Sequence, residues 1–281
     1  MKRDIRSELS GQVSPEILSV IPRSFDVIGS KGHAVAVIEI PPEAEPYERI
    51  VAEALMRVQR NVKSVLSKGS ERLGDYRVRD MKLIAGDPDT EVVHRESGCS
   101  FSVDPVKAYF SPRESTEREK ISALVGPGEA VLVMFSGVGP FAICIAKRQP
   151  KARCVAVELN PEAHRYSLEN IRLNKVGDRV KALVGDVREV CPHLGEVFDR
   201  VLMPLPKGAF EFLDVAIPMV KPGGVLHFYH WAPRDDPFSD GERLLQSAAE
   251  KLGRGVEILD RVRVSQYSPS SWKIRLDAKI G

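Results

Sequence analysis

Residues 130–141 read AVLVMFSGVGPF, an apolar run that feeds a glycine-containing turn. A helix-like stretch follows, then a second apolar run, CVAVEL, that ends on Glu158 and Leu159. This succession opens a nucleotide-type α/β fold. The glycines of the turn let backbone approach a ligand closely, and an acid ending the second strand can hold a ribose diol. Working outward, the strand-like runs VKALVGD, FDRVLM and GVLHFYHW alternate with PEAHRYSLENIRLN, GAFEFLDVAIPMV and GERLLQSAAEKLG. Such alternation predicts a mostly parallel sheet with helices on both faces. The last two apolar runs, EILDRVRV and KIRLDAKI, are joined by QYSPSSW and predict an antiparallel hairpin at one edge.

Upstream the pattern changes. A short helical pattern (Ile17, Leu18, Ile21) ends at Pro22, and SFDVIG and AVAVIEI then read as a hairpin. Ile50, Ala54, Leu55 and Val58 follow a helical period, and VKSVLS, RDMKLIAG, TEVVHRES and CSFSVDP are strand-like. These residues, 1–110, predict a smaller α+β domain with much antiparallel pairing. Residues 111–281 form the second domain, linked by a helix over 111–125. Ser111 suits its N-cap, Pro112 its first position, and Glu114 the acid of a capping box.

The 281 residues suffice for one large or two modest cores, and 43% hydrophobic with 28% charged residues is ordinary for a globular chain. No apolar run approaches the roughly 20 residues of a membrane span, and MKRDIRSELS lacks a signal-peptide core, so a cytoplasmic protein is expected. We expect a monomer. Net charge is only +2, which excludes a polycation, yet Arg57, Arg60, Lys63, Lys68, Arg72, Arg77, Arg79 and Lys82 cluster against three acids. Either a phosphate backbone or plain solvent would suit that stretch. Cys99, Cys144, Cys154 and Cys191 form no CxxC pair; Cys144 and Cys154 read as buried reduced thiols, and no metal site is expected.

Gly137 and Gly139 do not make the GxGxxG of dinucleotide-binding folds. The second domain instead resembles the class I methyltransferase fold: a Rossmann-like, mostly parallel seven-stranded sheet with an antiparallel edge hairpin. Longer segments are more specific. YFSPRESTER (109–118), MFSGVGPF (134–141), ELNPEAHRYSLENIRLNKV (158–176), GDVRE (185–189), DRVLMPLPKGAFEFLD (199–214), HFY (227–229) and YSP (267–269) resemble the archaeal and eukaryotic tRNA guanosine-37 N1-methyltransferases. The resemblance spans roughly residues 21–280. Family members often carry an extra N-terminal domain that grips the tRNA outer corner; this chain is expected to begin too late to contain all of it.

The resemblance implies S-adenosylmethionine as cofactor, held by Phe135, Ser136, Gly137, Val138, Gly139, Phe141, Glu158, Leu159, Asp186, Val187 and Met203. Glu158 would take the ribose hydroxyls and Asp186 the adenine amino group. The alternatives are that Glu158 is a surface cap for the helix opening at Pro161, and that Asp186 is a turn residue. The resemblance further implies a tRNA anticodon stem-loop as partner, with Glu117, Tyr109, Arg77 and Pro206 at the catalytic centre. Guanine N1 carries a proton near neutral pH, and by resemblance Glu117 is the base that removes it. Its spacing also allows a helix-surface acid paired with Arg113 four residues earlier. Arg77 matches an arginine that reads the guanine O6/N7 edge, while Arg113 and Arg118 match RNA-contacting arginines. Lys207 is either an RNA contact or a solvated lysine, and His227 reads as packed or edge-exposed rather than catalytic.

Two departures from the family stand out. Val133 and Met134 replace an acid usual before the glycine loop, which leaves the methionine ammonium to another partner such as backbone carbonyls. Pro204 replaces an asparagine, although Leu205 and Pro206 are kept. Rival readings are aminocarboxypropyl or methyl transfer to a wyosine precursor at the same tRNA position, and a non-catalytic RNA-binding module.

Overall fold

The computed structural model describes residues 4–69 and 80–281. They divide into two compact units, Met1–Ser115 and Thr116–Gly281, a few residues beyond the boundary expected from sequence.

In the first unit, strands β1 (Asp26–Gly29), β2 (Ala34–Ile38), β3 (Val62–Lys68) and β4 (Met81–Gly86) make one sheet in the order β1-β2-β3-β4. The β1-β2 and β3-β4 pairs are antiparallel, whereas β2 and β3 run parallel. Every residue of β2 is buried, as an uninterrupted AVAVI run in an interior strand requires. Among the described residues, the α-helices here are α1 (Ile5–Leu9), α2 (Pro15–Val20) and α3 (Glu48–Val58). The last buries Val51, Ala52, Ala54 and Leu55 against the sheet core; Ala54 and Leu55 lie on the expected stripe, while Ile50 and Val58 are only half-buried. The first was not anticipated; Asp4 and Ser7 close a reciprocal capping box, with Asp4 Oδ1 accepting from the Ser7 N–H at 2.7 Å. Strands β5 (Val92–Glu96) and β6 (Cys99–Val103) form a separate hairpin.

The linking segment corrects one expectation. Pro112–Glu114 is a 3₁₀ turn, the helix-capping bond from Ser111 does not form, and α4 runs over Ser115–Leu124. The Glu114 N–H bonds to the Ser111 carbonyl at 3.3 Å, which tightens the turn and takes the capping box out of register.

In the second unit the strands are β7 (Ala130–Met134), β8 (Arg153–Glu158), β9 (Val180–Val184), β10 (Phe198–Met203), β11 (Val220–Pro233), β12 (Val256–Ser268) and β13 (Ser271–Ile280). They lie in the order β12-β13-β11-β10-β7-β8-β9. The five from β9 to β11 are parallel, and β13 pairs antiparallel with both β11 and β12. The predicted edge hairpin thus forms, with its second strand inserted inside its first. Helices α5 (Pro140–Arg148), α6 (Pro161–Leu173), α7 (Val187–Val190), α8 (Leu213–Ala216) and α9 (Ser239–Lys251) connect the strands. GAFEFLDVAIPMV is not one helix: Pro218 sits in a 3₁₀ turn that ends α8 after one turn. Leu132, Val157, Phe198, Val201, Leu226, Phe228, Ile274 and Leu276 share one core cluster. Burying a side chain of this size contributes about 1.5–3 kcal/mol. The four cysteines form no disulfide and are buried, and burial pushes the Cys154 and Cys191 thiols up to about 12.

Candidate functional site

Strand order reverses at β7, whose neighbours are β8 on one side and β10 on the other. Open parallel sheets bind ligands at the carboxyl ends of strands beside such a reversal. Four segments leave the sheet there: Phe135–Gly139 after β7, Glu158–Asn160 after β8, Gly185–Asp186 after β9, and Pro204–Gly208 after β10. Backbone bonds tie the first three together. The Ser136 N–H reaches Val157 O at 3.0 Å and the Gly185 N–H reaches Glu158 O at 2.9 Å.

The glycine loop is tightly wound. Phe135, Gly137 and Gly139 all have positive φ, +55°, +57° and +85°. Gly139 opens α5 in the left-handed region, and a Cβ there would meet Ser167 Oγ at 2.7 Å. Glu158 braces the loop: one carboxylate oxygen accepts the Gly137 N–H at 2.6 Å, the other the Asn160 N–H at 2.9 Å. Burial raises its pKa above the usual carboxylate value, against the pull of these N–H groups. The helix opening at Pro161 is capped by Asn160 rather than Glu158, its side chain accepting from the Glu162 N–H at 2.9 Å. Asp186 does cap, taking the Arg188 N–H at 2.8 Å at the start of α7. Beside it, Phe135 meets Phe212 edge to face at 4.9 Å, and the Arg188 guanidinium lies 3.8 Å over the Phe212 ring.

These residues fit S-adenosylmethionine. A carboxylate at a strand end, a glycine loop wound through positive φ against α6, and an aromatic pair are present together. Ser136 Oγ is moreover buried without a hydrogen-bond partner among the described residues. Two expected contacts need correction. Val138 and Met203 have no exposed surface, so they shape the wall from behind instead of touching a ligand. Val138 holds α6 through its carbonyl, which accepts from Asn170 at 3.1 Å, and Met203 belongs to the core. Phe141 and Val187 are nearly as deep, while Leu159 lies at intermediate depth. The usual acid before the loop would stand where Val133 and Met134 are fully buried.

Glu117, on α4, is only 4% exposed, which excludes the surface-acid reading. Arg113 is not its partner: that guanidinium, largely exposed, binds Asp26 at 2.5 Å in the first unit. Glu117 Oε1 accepts instead from the Tyr229 hydroxyl at 2.7 Å and from Arg275 Nη1. A buried chain of polar groups continues from there. Arg275 grips Asp277 through Nε at 2.7 Å and Nη2 at 3.1 Å. Asp277 Oδ1 also lies 2.7 Å from His227 Nδ1, and Arg200 Nη1 stands 3.1 Å from His227 Nε2. Arg200 in turn pairs with Glu129 at 2.5 and 3.3 Å. The strand register builds this chain: Tyr229 faces Arg275, and His227 faces Asp277, across β11 and β13.

A guanidinium can only donate, so His227 Nε2 accepts from Arg200 and the ring proton sits on Nδ1, donated to Asp277. The imidazole is therefore neutral. Burial, aided by Arg200 and Arg275, pushes its pKa below the usual 6.5, although Asp277 pulls the other way. Below pH 6.5 the unfolded chain takes up a proton that the folded chain refuses, so stability falls with acidification, by at most about 1.4 kcal/mol per pH unit. Urea unfolding between about pH 5 and 8 should show this slope, and His227→Gln should flatten it. An unchanged slope in the variant would refute the assignment.

The remaining predicted residues are spread out. Arg77, with Arg72 and Arg79 of the basic stretch, lies outside the described residues. Tyr109, near the end of the first unit, is 43% exposed. Pro206 lies at intermediate depth in the loop after β10, and Lys207 beside it is exposed. Arg118 is 1% exposed, which corrects its reading as an RNA contact: a buried guanidinium presents no fork to a phosphate. Tyr229, Arg275, Asp277, Arg188 and Phe212 were missed. Among the described residues no group of three or more His, Cys, Asp or Glu side chains could hold a metal ion.

Comparison with known proteins matches residues 92–259 to the TRM5/TYW2 methyltransferase domain and residues 5–90 to the TYW2 N-terminal domain. The chain is 42% identical over 270 residues to tRNA (guanine(37)-N(1))-methyltransferase Trm5b of Pyrococcus abyssi, covering 95% of this chain and 78% of that protein. It is 33% identical over 285 residues to the tRNA(Phe) (4-demethylwyosine(37)-C(7)) aminocarboxypropyltransferase of Pyrococcus horikoshii, covering 100% and 97%. The solved complex of aTrm5 and tRNALeu superposes with a TM-score of 0.86 at 33% identity, covering 100% of this chain and 79% of that one.

Proposed function

We infer that this chain, which belongs to the TRM5/TYW2 methyltransferase family, methylates N1 of guanosine 37 in the tRNA anticodon loop. The observation that carries this reading is the Glu117 carboxylate, buried and fixed by Tyr229 and Arg275 in the unit that bears the glycine loop. S-adenosylmethionine, when bound, supplies an electrophilic methyl group. The chain's own residues do the rest. The Phe135–Gly139 loop admits the cofactor to close backbone contact, Glu158 receives its ribose hydroxyls, and Asp186 keeps one carboxylate oxygen for the adenine amino group. Glu117 takes the proton from guanine N1, and the freed lone pair becomes the nucleophile. Both donors to Glu117 use Oε1, so a proton taken at Oε2 breaks neither bond.

In this reading Tyr109 and Arg77 recognise the target base, Pro206 fixes the loop after β10, and Arg113 and Lys207 meet the RNA backbone. Arg113 must exchange Asp26 for phosphate to do so. The base leaves the anticodon stack to reach the carboxylate. The enzyme acts as a cytoplasmic monomer on the anticodon stem-loop. No described helix is long and apolar enough to cross a membrane.

One observation favours a second reading, aminocarboxypropyl transfer to a wyosine precursor. The Pyrococcus horikoshii aminocarboxypropyltransferase matches over 97% of its own length, and the first unit matches the TYW2 N-terminal domain. Incubation with labelled S-adenosylmethionine and tRNA bearing G, A or 4-demethylwyosine at position 37, followed by nucleoside mass analysis, separates the readings. We expect 1-methylguanosine from the G37 transcript alone. An adduct found only on a wyosine precursor would establish the second reading.

A further inference from the structure

We propose that Asp277 is a positioning residue that limits the grip of Arg275 on the catalytic carboxylate, so that Glu117 stays free to accept a proton. The proposal rests on the reading of Glu117 as the base. Arg275 is 3% exposed and stands between two buried carboxylates. A guanidinium beside one carboxylate settles into a fork with two parallel N–H bonds. Here that fork belongs to Asp277, which takes both Nε and Nη2. With its plane fixed in that way, the guanidinium meets Glu117 through Nη1 alone, at Oε1, although its Nη1/Nη2 edge carries further donors.

Asp277 is itself anchored. His227 Nδ1 donates to its Oδ1 at 2.7 Å, and Arg200 and Glu129 hold His227 from the far side. His227 is fully buried and Asp277 is 5% exposed. The Glu117 carboxylate bonds Arg275 on β13 and the Tyr229 hydroxyl on β11, and Lys273 Nζ lies 5.0 Å from the Tyr229 ring centre. Remove the charge of Asp277, and Arg275 has one buried anion left to bind. It would then take Glu117 with its full fork, occupying both oxygens and opposing proton uptake.

The test is a two-residue cycle. Asp277→Asn should lower kcat for G37 methylation by about tenfold, within the range general-base catalysis supplies, with cofactor affinity unchanged. Adding Arg275→Gln removes the unbalanced cation but also one of the two bonds that fix Glu117, so the double variant should regain about threefold in kcat over Asp277→Asn while staying below wild type, a non-additivity expected of directly coupled groups. A merely structural role would make the double variant no better than the single one, and that result overturns the proposal. If Asp277→Asn alone fails to fold, the double variant still decides: a folded protein with kcat more than about thirtyfold below wild type refutes it, beyond the coupling of contacting groups. A wild type that forms no 1-methylguanosine removes the underlying reading and this inference with it. An active wild type with an unrescued double variant removes this inference alone.

Discussion

Glu117→Gln is expected to lower turnover by about 10²–10⁴-fold, the reach of general-base catalysis, while S-adenosylmethionine affinity stays within about twofold of wild type. Glutamine has the same shape as glutamate, and its carbonyl can still accept from the Tyr229 hydroxyl and Arg275 Nη1, the two bonds that hold Oε1. The fold around α4 is thus preserved, and only the ability to carry off a proton is lost. Glu158, Gly137 and Asp186, the residues proposed to hold the cofactor, belong to the loops at the strand ends, so donor binding has no reason to change. Single-turnover methylation with saturating tRNA, set beside calorimetric cofactor binding, reads both quantities. Retention of wild-type turnover would remove Glu117 from the mechanism, and a parallel loss of cofactor affinity would make it a structural residue.

Local patterns in the sequence carried much of the fold and of the cofactor site. The parallel strands are continuous apolar runs because both faces are covered, and β7 is buried at every position. The glycine loop and Glu158 were legible because positive φ and a strand-end acid leave marks in residue type. Ion pairing was not legible. Spacing joined Glu117 to Arg113, whereas Asp26 binds Arg113 across 87 positions, and Tyr229 and Arg275 bind Glu117 across 112 and 158. The alternation in KIRLDAKI puts Arg275 and Asp277 on one face of β13. Nothing local says that β13 inserts beside β11 with that face against Tyr229 and His227; only the register does. Arg118 failed similarly, since a motif match cannot tell an exposed guanidinium from a buried one.

The second large effect lies at Glu158. Its two carboxylate oxygens each accept a backbone N–H, from Gly137 in the loop after β7 and from Asn160 at the start of α6. Glutamine offers one acceptor and one donor, so Glu158→Gln turns an amide NH₂ toward one of those N–H groups whichever way it is oriented. One backbone donor is left unsatisfied, at a cost of about 1–3 kcal/mol in stability, measurable by urea unfolding. The conformation of the glycine loop depends on the same bond: Gly137 holds a positive φ while donating to Glu158, and Gly139 two residues on has no room for readjustment against Ser167. A loop released at Gly137 loses its close backbone approach to the cofactor, and the ribose diol loses the anion that would receive it. Cofactor affinity should therefore fall about 100-fold, equivalent to about 2.7 kcal/mol, with turnover at saturating cofactor reduced far less than in Glu117→Gln. Calorimetry showing wild-type affinity in a folded Glu158→Gln protein would mean that the donor binds elsewhere, and the assignment of the strand-end site would fall with it.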